Sequence, residues 1–147
     1  MKKHKIAIGS DHAGFKLKET IKKYLTDAGH EVKDYGCYSE DRADYADFAH
    51  PVAKDVEAKK YDIGVLMSGS GNGINMAANK HKGIRSALCW KSEIAELARQ
   101  HNDANIIVLP ARYISEEEAK QSVDIFLNTG FEGGRHTDRV NKISQGC

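Results

Sequence analysis

Asp62-Ile63-Gly64-Val65-Leu66-Met67-Ser68-Gly69-Ser70-Gly71-Asn72-Gly73 is the stretch whose reading decides the fold. It begins as an almost unbroken apolar run, the pattern of a strand covered on both faces. Three glycines in five positions follow, and Ala77-Ala78-Asn79-Lys80 lies beyond them. The chain therefore passes from a buried strand through a tight turn into a helix.

Four other short runs, at 5–9, 31–35, 84–89 and 105–109, read as strands for the same reason. Helical spacing separates them. Leu17, Ile21, Tyr24 and Leu25 fall at i, i+4, i+7 and i+8 and stop at Gly29; Ile94, Leu97, Ala98 and His101 form a second stripe. Ser115 with Glu118 predicts a capping box ahead of Ala119, Val123, Phe126 and Leu127. Residues 45–57 also have helical spacing, but Pro51 removes an interior donor, so a kink there or a start near Pro51 is expected. Strands alternating with helices imply right-handed crossovers and a parallel sheet in an α/β domain.

At 147 residues, with two prolines, 40% hydrophobic and 29% charged residues, the chain is expected to be a single globular domain spanning 1–147. Lys and Arg number 22 against 21 Asp and Glu, so no global field gathers nucleic acid or anionic lipid. Cys37, Cys89 and Cys147 form no framework, which suits a reducing compartment. No run approaches the roughly 18 apolar residues of a membrane span, and no signal peptide is read at the start. A cytoplasmic protein with no membrane or nucleic-acid partner is expected.

Four constellations carry chemistry. In Gly9-Ser10-Asp11-His12-Ala13-Gly14 a strand ends and a helix begins, where open α/β sheets bind ligands. Ser10 or Asp11 as a plain helix cap is the competing reading, though a cap gives no reason for His12. In the glycine-rich turn, Gly69, Ser70, Gly71, Asn72 and Gly73 expose backbone N–H groups that suit a phosphate or a developing oxyanion. Neither a Walker A sequence nor G-x-G-x-x-[GA] fits this turn, which disfavours a nucleotide.

The third constellation is His101 with Asn102, at the end of a helix leading into the fifth strand. Its stripe places the imidazole inward at the top of the sheet, either as a satisfied core histidine or as a catalyst. The fourth is Phe131-Glu132-Gly133-Gly134-Arg135-His136-Thr137-Asp138-Arg139, where the guanidinium groups of Arg135 and Arg139, four residues apart, suit a phosphate dianion or form a solvated basic face. Arg112 is a third candidate guanidinium if subunits pack to bring it near. The seven histidines show no ligand-type H-x-x-x-H or Cys/His pair, so no metal is expected.

Together these motifs resemble the type B ribose-5-phosphate isomerase family, which includes the subunits of galactose-6-phosphate isomerase. The resemblance implies a Rossmann-like three-layer α/β/α domain with a five-stranded parallel sheet. It further implies a homodimer or dimer of dimers with active sites built between two subunits. The implied activity interconverts ribose 5-phosphate and ribulose 5-phosphate through an enediolate, a step of the pentose phosphate pathway, without metal or organic cofactor.

By that resemblance Ser68 takes the base position, the amides of residues 69–73 hold the oxyanion, and His101 opens the sugar ring. Asp11, His12, Tyr45 and Asn102 contact the sugar or phosphate, and Arg112, Arg135, His136 and Arg139 match the phosphate-binding side. One departure stands out. The family's usual base is Cys where this chain has Ser68, and a second branch places Glu where this chain has Ile74. A hydroxyl needs a neighbour to take its proton, and Asp11 is a candidate. Isomerisation of galactose 6-phosphate or allose 6-phosphate, and a non-catalytic phosphosugar-binding module, are the alternatives.

Overall fold

Each run read as a strand forms one in the structure, a computed structural model that describes residues 2–147. The strands are β1 (Lys5–Ser10), β2 (Glu31–Asp34), β3 (Ile63–Ser68), β4 (Ser86–Leu88) and β5 (Ile106–Pro110). Helices α1 (Phe15–Asp27), α2 (Tyr45–Glu57), α3 (Asn72–Ala78), α4 (Ser92–Asn102) and α5 (Glu116–Asn128) alternate with them, and α6 (Thr137–Ile143) follows. All pairings are parallel in the order β2-β1-β3-β5-β4. The expected fourth strand is shorter than its apolar run, since pairing spans only Ser86 to Leu88.

Strand alternation divides the core into two layers. Val65, Met67, Ile107 and Leu109 face α1, α4 and α5, against Leu17, Ile21, Ala95, Val123 and Phe126. Leu66, Ile106 and Val108 face α2 and α3, against Val52, Ala53, Val56, Ile74 and Ala78. A sheet covered on both sides explains why β3 reads as a continuous apolar run. At Pro51 the helix does not start afresh: α2 is one helix over Tyr45–Glu57 with Pro51 inside it. The missing N–H falls on the exposed side of that helix.

The strand order reverses direction around β1 and β3, because the chain moves outward to β2 from one and to β5 and β4 from the other. That is the topological switch point where parallel sheets open a crevice. One wall of the crevice is anchored by charge. Lys18 is fully buried, and its ammonium lies 2.6 Å from Asp34 and 2.8 Å from Glu19. Lys22 reaches the same Asp34 oxygen at 2.8 Å, while the other oxygen accepts the Gly36 N–H at 2.8 Å. Gly36 in turn accepts from the Ser10 N–H at 2.7 Å, so this network fixes the segment beside the end of β1.

Burial raises the Asp34 carboxyl, but hydrogen bonds from Lys18, Lys22 and Gly36 outweigh it and hold the group below its ordinary value of 3.8. A depressed carboxyl stabilises the fold above the unfolded value and loses that contribution as pH falls through the folded one. Asp34→Asn removes the charge facing buried Lys18, and a loss of about 3 kcal/mol is expected in urea unfolding at pH 7. Over the range from roughly pH 5 down to pH 2, wild type should lose more stability than the variant. Parallel pH curves would refute the ionic anchor.

Candidate active site

Asp11 and Ser68 come together through register. Ser10 pairs with Met67 across β1 and β3, so Asp11 stands level with Ser68 at the C-terminal edge. Alternation turns both toward the α2 and α3 side. Ser68 is buried, and its carbonyl accepts the Ala111 N–H at 2.8 Å. Its hydroxyl has no hydrogen-bond partner among the described residues. Asp11 is 6% exposed, and one of its carboxylate oxygens accepts the Gly14 N–H at 3.2 Å. The capping reading therefore holds for Asp11, and it does not exclude chemistry, because the second oxygen accepts no hydrogen bond among the described residues.

The glycine-rich turn closes the same crevice. No protein acceptor takes the N–H groups of Gly69, Ser70 or Gly71 among the described residues, whereas the Asn72 N–H donates to the Ser70 hydroxyl at 3.3 Å. Gly71 sits at φ 81°, a conformation that glycine adopts without strain. Gly73 is required for another reason. A Cβ there would lie 2.3 Å from Cζ of Tyr45, whose ring rests on the turn.

His12 is held at the edge of the crevice by the Ala43 N–H, which donates to Nδ1 at 3.2 Å. Arg112 also belongs here. Its N–H donates to the Gly69 carbonyl at 3.0 Å, and its guanidinium would lie 3.1 Å from a Cβ at position 69. No second subunit is needed to bring Arg112 to the turn.

His101 is not at this edge, contrary to the expectation from its stripe. α4 carries the chain back from the end of β4 to the start of β5, so the helix ends where strands begin. The five residues of β5 alone span about 13 Å between the two edges. Apolar periodicity assigns a residue to a face of the sheet but says nothing of the end. The buried positions of α4 are Ala95 and Ala98, and the His101 side chain is 37% exposed.

At this N-terminal edge His101 stacks on His136, with ring centroids 4.4 Å apart and planes 15° from parallel. Oε1 of Glu132 lies 3.8 Å from Nε2 of His101 and 3.5 Å from Nε2 of His136. His101, Asn102, His136 and Arg139 line one cavity of about 330 Å³ with Val140 and Ile143. Arg135 is exposed on the turn Gly134–His136 and does not line this cavity. Glu132 is the residue that sequence reasoning missed. Its only local signal is the four-residue spacing to His136; its proximity to His101 is tertiary, set by the Glu132 N–H donating to the Gln100 carbonyl at 3.0 Å.

Among the cysteines, Cys89 is buried in the core and burial pushes its thiol up to about 12, so it is not a nucleophile at neutral pH. Cys37 is buried beside Ser10, its sulfur 3.9 Å from the Ser10 hydroxyl, on the opposite side of the sheet from Ser68. Neither replaces the missing thiol.

These two clusters sit in a chain that matches known proteins along most of its length. The sequence profile described as Ribose/Galactose Isomerase matches residues 6–143. Ribose-5-phosphate isomerase B of Escherichia coli is 45% identical over 140 residues, covering 95% of this chain and 94% of the relative. A ribose 5-phosphate isomerase structure from Thermotoga maritima superposes with a TM-score of 0.95 at 51% identity, covering 97% of this chain and 98% of that one. The Mycoplasma genitalium ribose-5-phosphate isomerase B structure with bound ribulose-5-phosphate has a TM-score of 0.92 at 42% identity, with 97% and 95% covered. Sheet order, glycine-rich turn and full-length similarity agree, and the chain belongs to the ribose/galactose isomerase family.

Proposed function

We propose that this protein interconverts ribose 5-phosphate and ribulose 5-phosphate. The observation that carries the reading is the register that sets Asp11 level with Ser68 at the C-terminal edge, beside a turn in which the N–H groups of Gly69, Ser70 and Gly71 have no acceptor among the described residues. An aldose becomes a ketose when one proton moves from C2 to C1 and another moves between O1 and O2. The intermediate enediolate carries its charge on oxygen, where the amides of Gly69, Ser70 and Gly71 supply preorganised donors. Redox balance is internal, so the reaction needs no organic cofactor.

Ser68 cannot take a carbon-bound proton while it keeps its own. In this mechanism the Asp11 carboxylate accepts the hydroxyl proton as the Ser68 oxygen takes the proton from C2. Once the hydroxyl proton of the enediolate has passed from O2 to O1, the Ser68 hydroxyl gives its proton to C1 and regains one from Asp11, which restores the pair. Tyr45 and His12 border the crevice and contact the sugar, and Arg112 at the turn supplies a cation for the phosphate end.

Ring opening is assigned to His101, which stands at the far edge of its own sheet. The functional unit is therefore a homodimer in which each site takes Ser68 and Asp11 from one chain and His101, Asn102, His136 and Arg139 from its partner, with Arg135 at the rim. Tyr38, Met76, Trp90 and Tyr113 are exposed large side chains available to such contacts. Unpaired cysteines suit a cytoplasmic setting, and no helix among the described residues is long and apolar enough to cross a membrane.

Turnover of ribose 5-phosphate by the purified protein tests the reading. Ser68→Ala and Asp11→Asn should each lower kcat by about 100-fold or more, and Ser68→Cys should hold or raise it. Full activity in Ser68→Ala would remove the serine from the mechanism. Inactivity of wild type on this substrate, on galactose 6-phosphate and on allose 6-phosphate would leave a binding module. Faster turnover of a six-carbon phosphate would reassign the substrate.

Mixing Ser68→Ala with His101→Ala tests the shared site separately. Random reassociation after mild denaturation produces heterodimers with one intact site, so about a quarter of wild-type activity should return. No recovery, with heterodimers demonstrated by mass spectrometry, would place the whole site within one chain.

A further inference from the structure

His101, Glu132 and His136 bring two imidazoles and a carboxylate to one point, though no short motif links all three. We propose that they form a binding site for a borderline divalent transition ion, with Zn2+ the best fit, and that the bound ion silences the enzyme by occupying His101. The silencing part rests on the ring-opening role given to His101 above; the binding part does not.

Donor chemistry selects the ion. Two imidazole nitrogens and one carboxylate oxygen are a familiar three-ligand set for zinc with a fourth position open. Magnesium and calcium favour all-oxygen sites and are poorly served here. The donor atoms lie within 4.8 Å of one another. A tetrahedral ion with bonds of about 2.0–2.2 Å sets its ligands roughly 3.4 Å apart. The 3.5 and 3.8 Å separations from the carboxylate to the two Nε2 atoms are therefore close to what such an ion requires.

A second observation is independent of the clustering. Nε2 of His136 is buried and has no hydrogen-bond partner among the described residues, on a side chain only 8% exposed. A buried polar nitrogen without a partner is destabilising, and a metal bond satisfies it. The His136 backbone is pinned by its N–H donating to the Gly133 carbonyl at 3.0 Å. The other two ligands have room to adjust: the Glu132 side chain is 51% exposed and that of His101 37%, and holding the ion requires the His101 ring to rotate out of its stack on His136.

Other charge bears on the same space. Arg139 lines the cavity and opposes a cation, while Arg99 is engaged with Asp103 at 2.9 Å and with the Thr129 and Ala104 carbonyls. Because Arg139 also suits phosphate, ion and substrate exclude one another at this edge. His50 and His81, 2.8 Å apart on α2 and after α3, are the competing histidine pair.

Isothermal titration calorimetry of the intact protein with zinc chloride in phosphate-free buffer is the deciding experiment, with magnesium chloride as the control. One zinc ion per chain and no magnesium heat are expected in wild type. Affinity should fall by about tenfold or more in Glu132→Gln, an exposed position that leaves the core untouched, and in His136→Asn, with thermal melting confirming the fold of each. Zinc should inhibit wild-type turnover reversibly, with recovery on adding EDTA. Absence of zinc heat in wild type, or unchanged affinity in Glu132→Gln, overturns the site. Loss of binding in His50→Asn alone would also overturn it by moving the ion to the other pair. Zinc binding by a protein that isomerises nothing would sink the proposed function and leave the site standing.

Discussion

Parallel pairing of β1 with β3 is the constraint on which the rest depends. It sets Asp11 level with Ser68, and a one-residue slip would turn one of them to the opposite face of the sheet. It also obliges every connection to return across the sheet, so strand ends gather at one edge and helix ends at the other. Chemistry carried by strand ends, such as Ser68, is thereby separated from chemistry carried by helix ends, such as His101. Within one chain His101 and Ser68 therefore stay at opposite edges, and the proposed homodimer is what would bring them together.

The split also accounts for what was legible beforehand. Strands and helices are written in local periodicity, and the alternation of Val65, Leu66 and Met67 or the stripe of Leu17 and Ile21 survives without tertiary context. The glycine-rich turn was legible because three glycines in five positions have few uses. Pro51 was harder, since tertiary packing of Val52, Ala53 and Val56 holds α2 together through a residue that lacks a donor. His101 was read on the right stripe but at the wrong edge. Arg112 sits at the glycine-rich turn through its backbone bond to Gly69, at the edge opposite Arg139, so its company with the other guanidinium groups still depends on how subunits pack. Glu132 was missed because 31 residues separate it from His101, and no local pattern encodes that approach.

Serine in place of the usual thiol shifts the burden of proton transfer. A thiolate acts alone once its surroundings favour ionisation, whereas a hydroxyl passes on whatever its neighbour accepts. In the proposed mechanism the carboxylate of Asp11 has two duties, capping the turn through one oxygen, as the structure shows, and receiving a proton through the other. The Lys18–Asp34 network matters to this arrangement at a distance, because it fixes Gly36, and Gly36 holds the N–H of Ser10 immediately before Asp11.

The contact between Tyr45 and position 73 has a consequence for how such chains diverge. With a Cβ at 73 only 2.3 Å from the ring, no side chain enters the turn while the tyrosine keeps its place. The two positions are therefore free to change only as a pair, and the ring must shrink or swing away first. A lineage that alters this aromatic gains a new degree of freedom in the glycine-rich turn; one that retains it keeps the turn's backbone shape through long sequence drift.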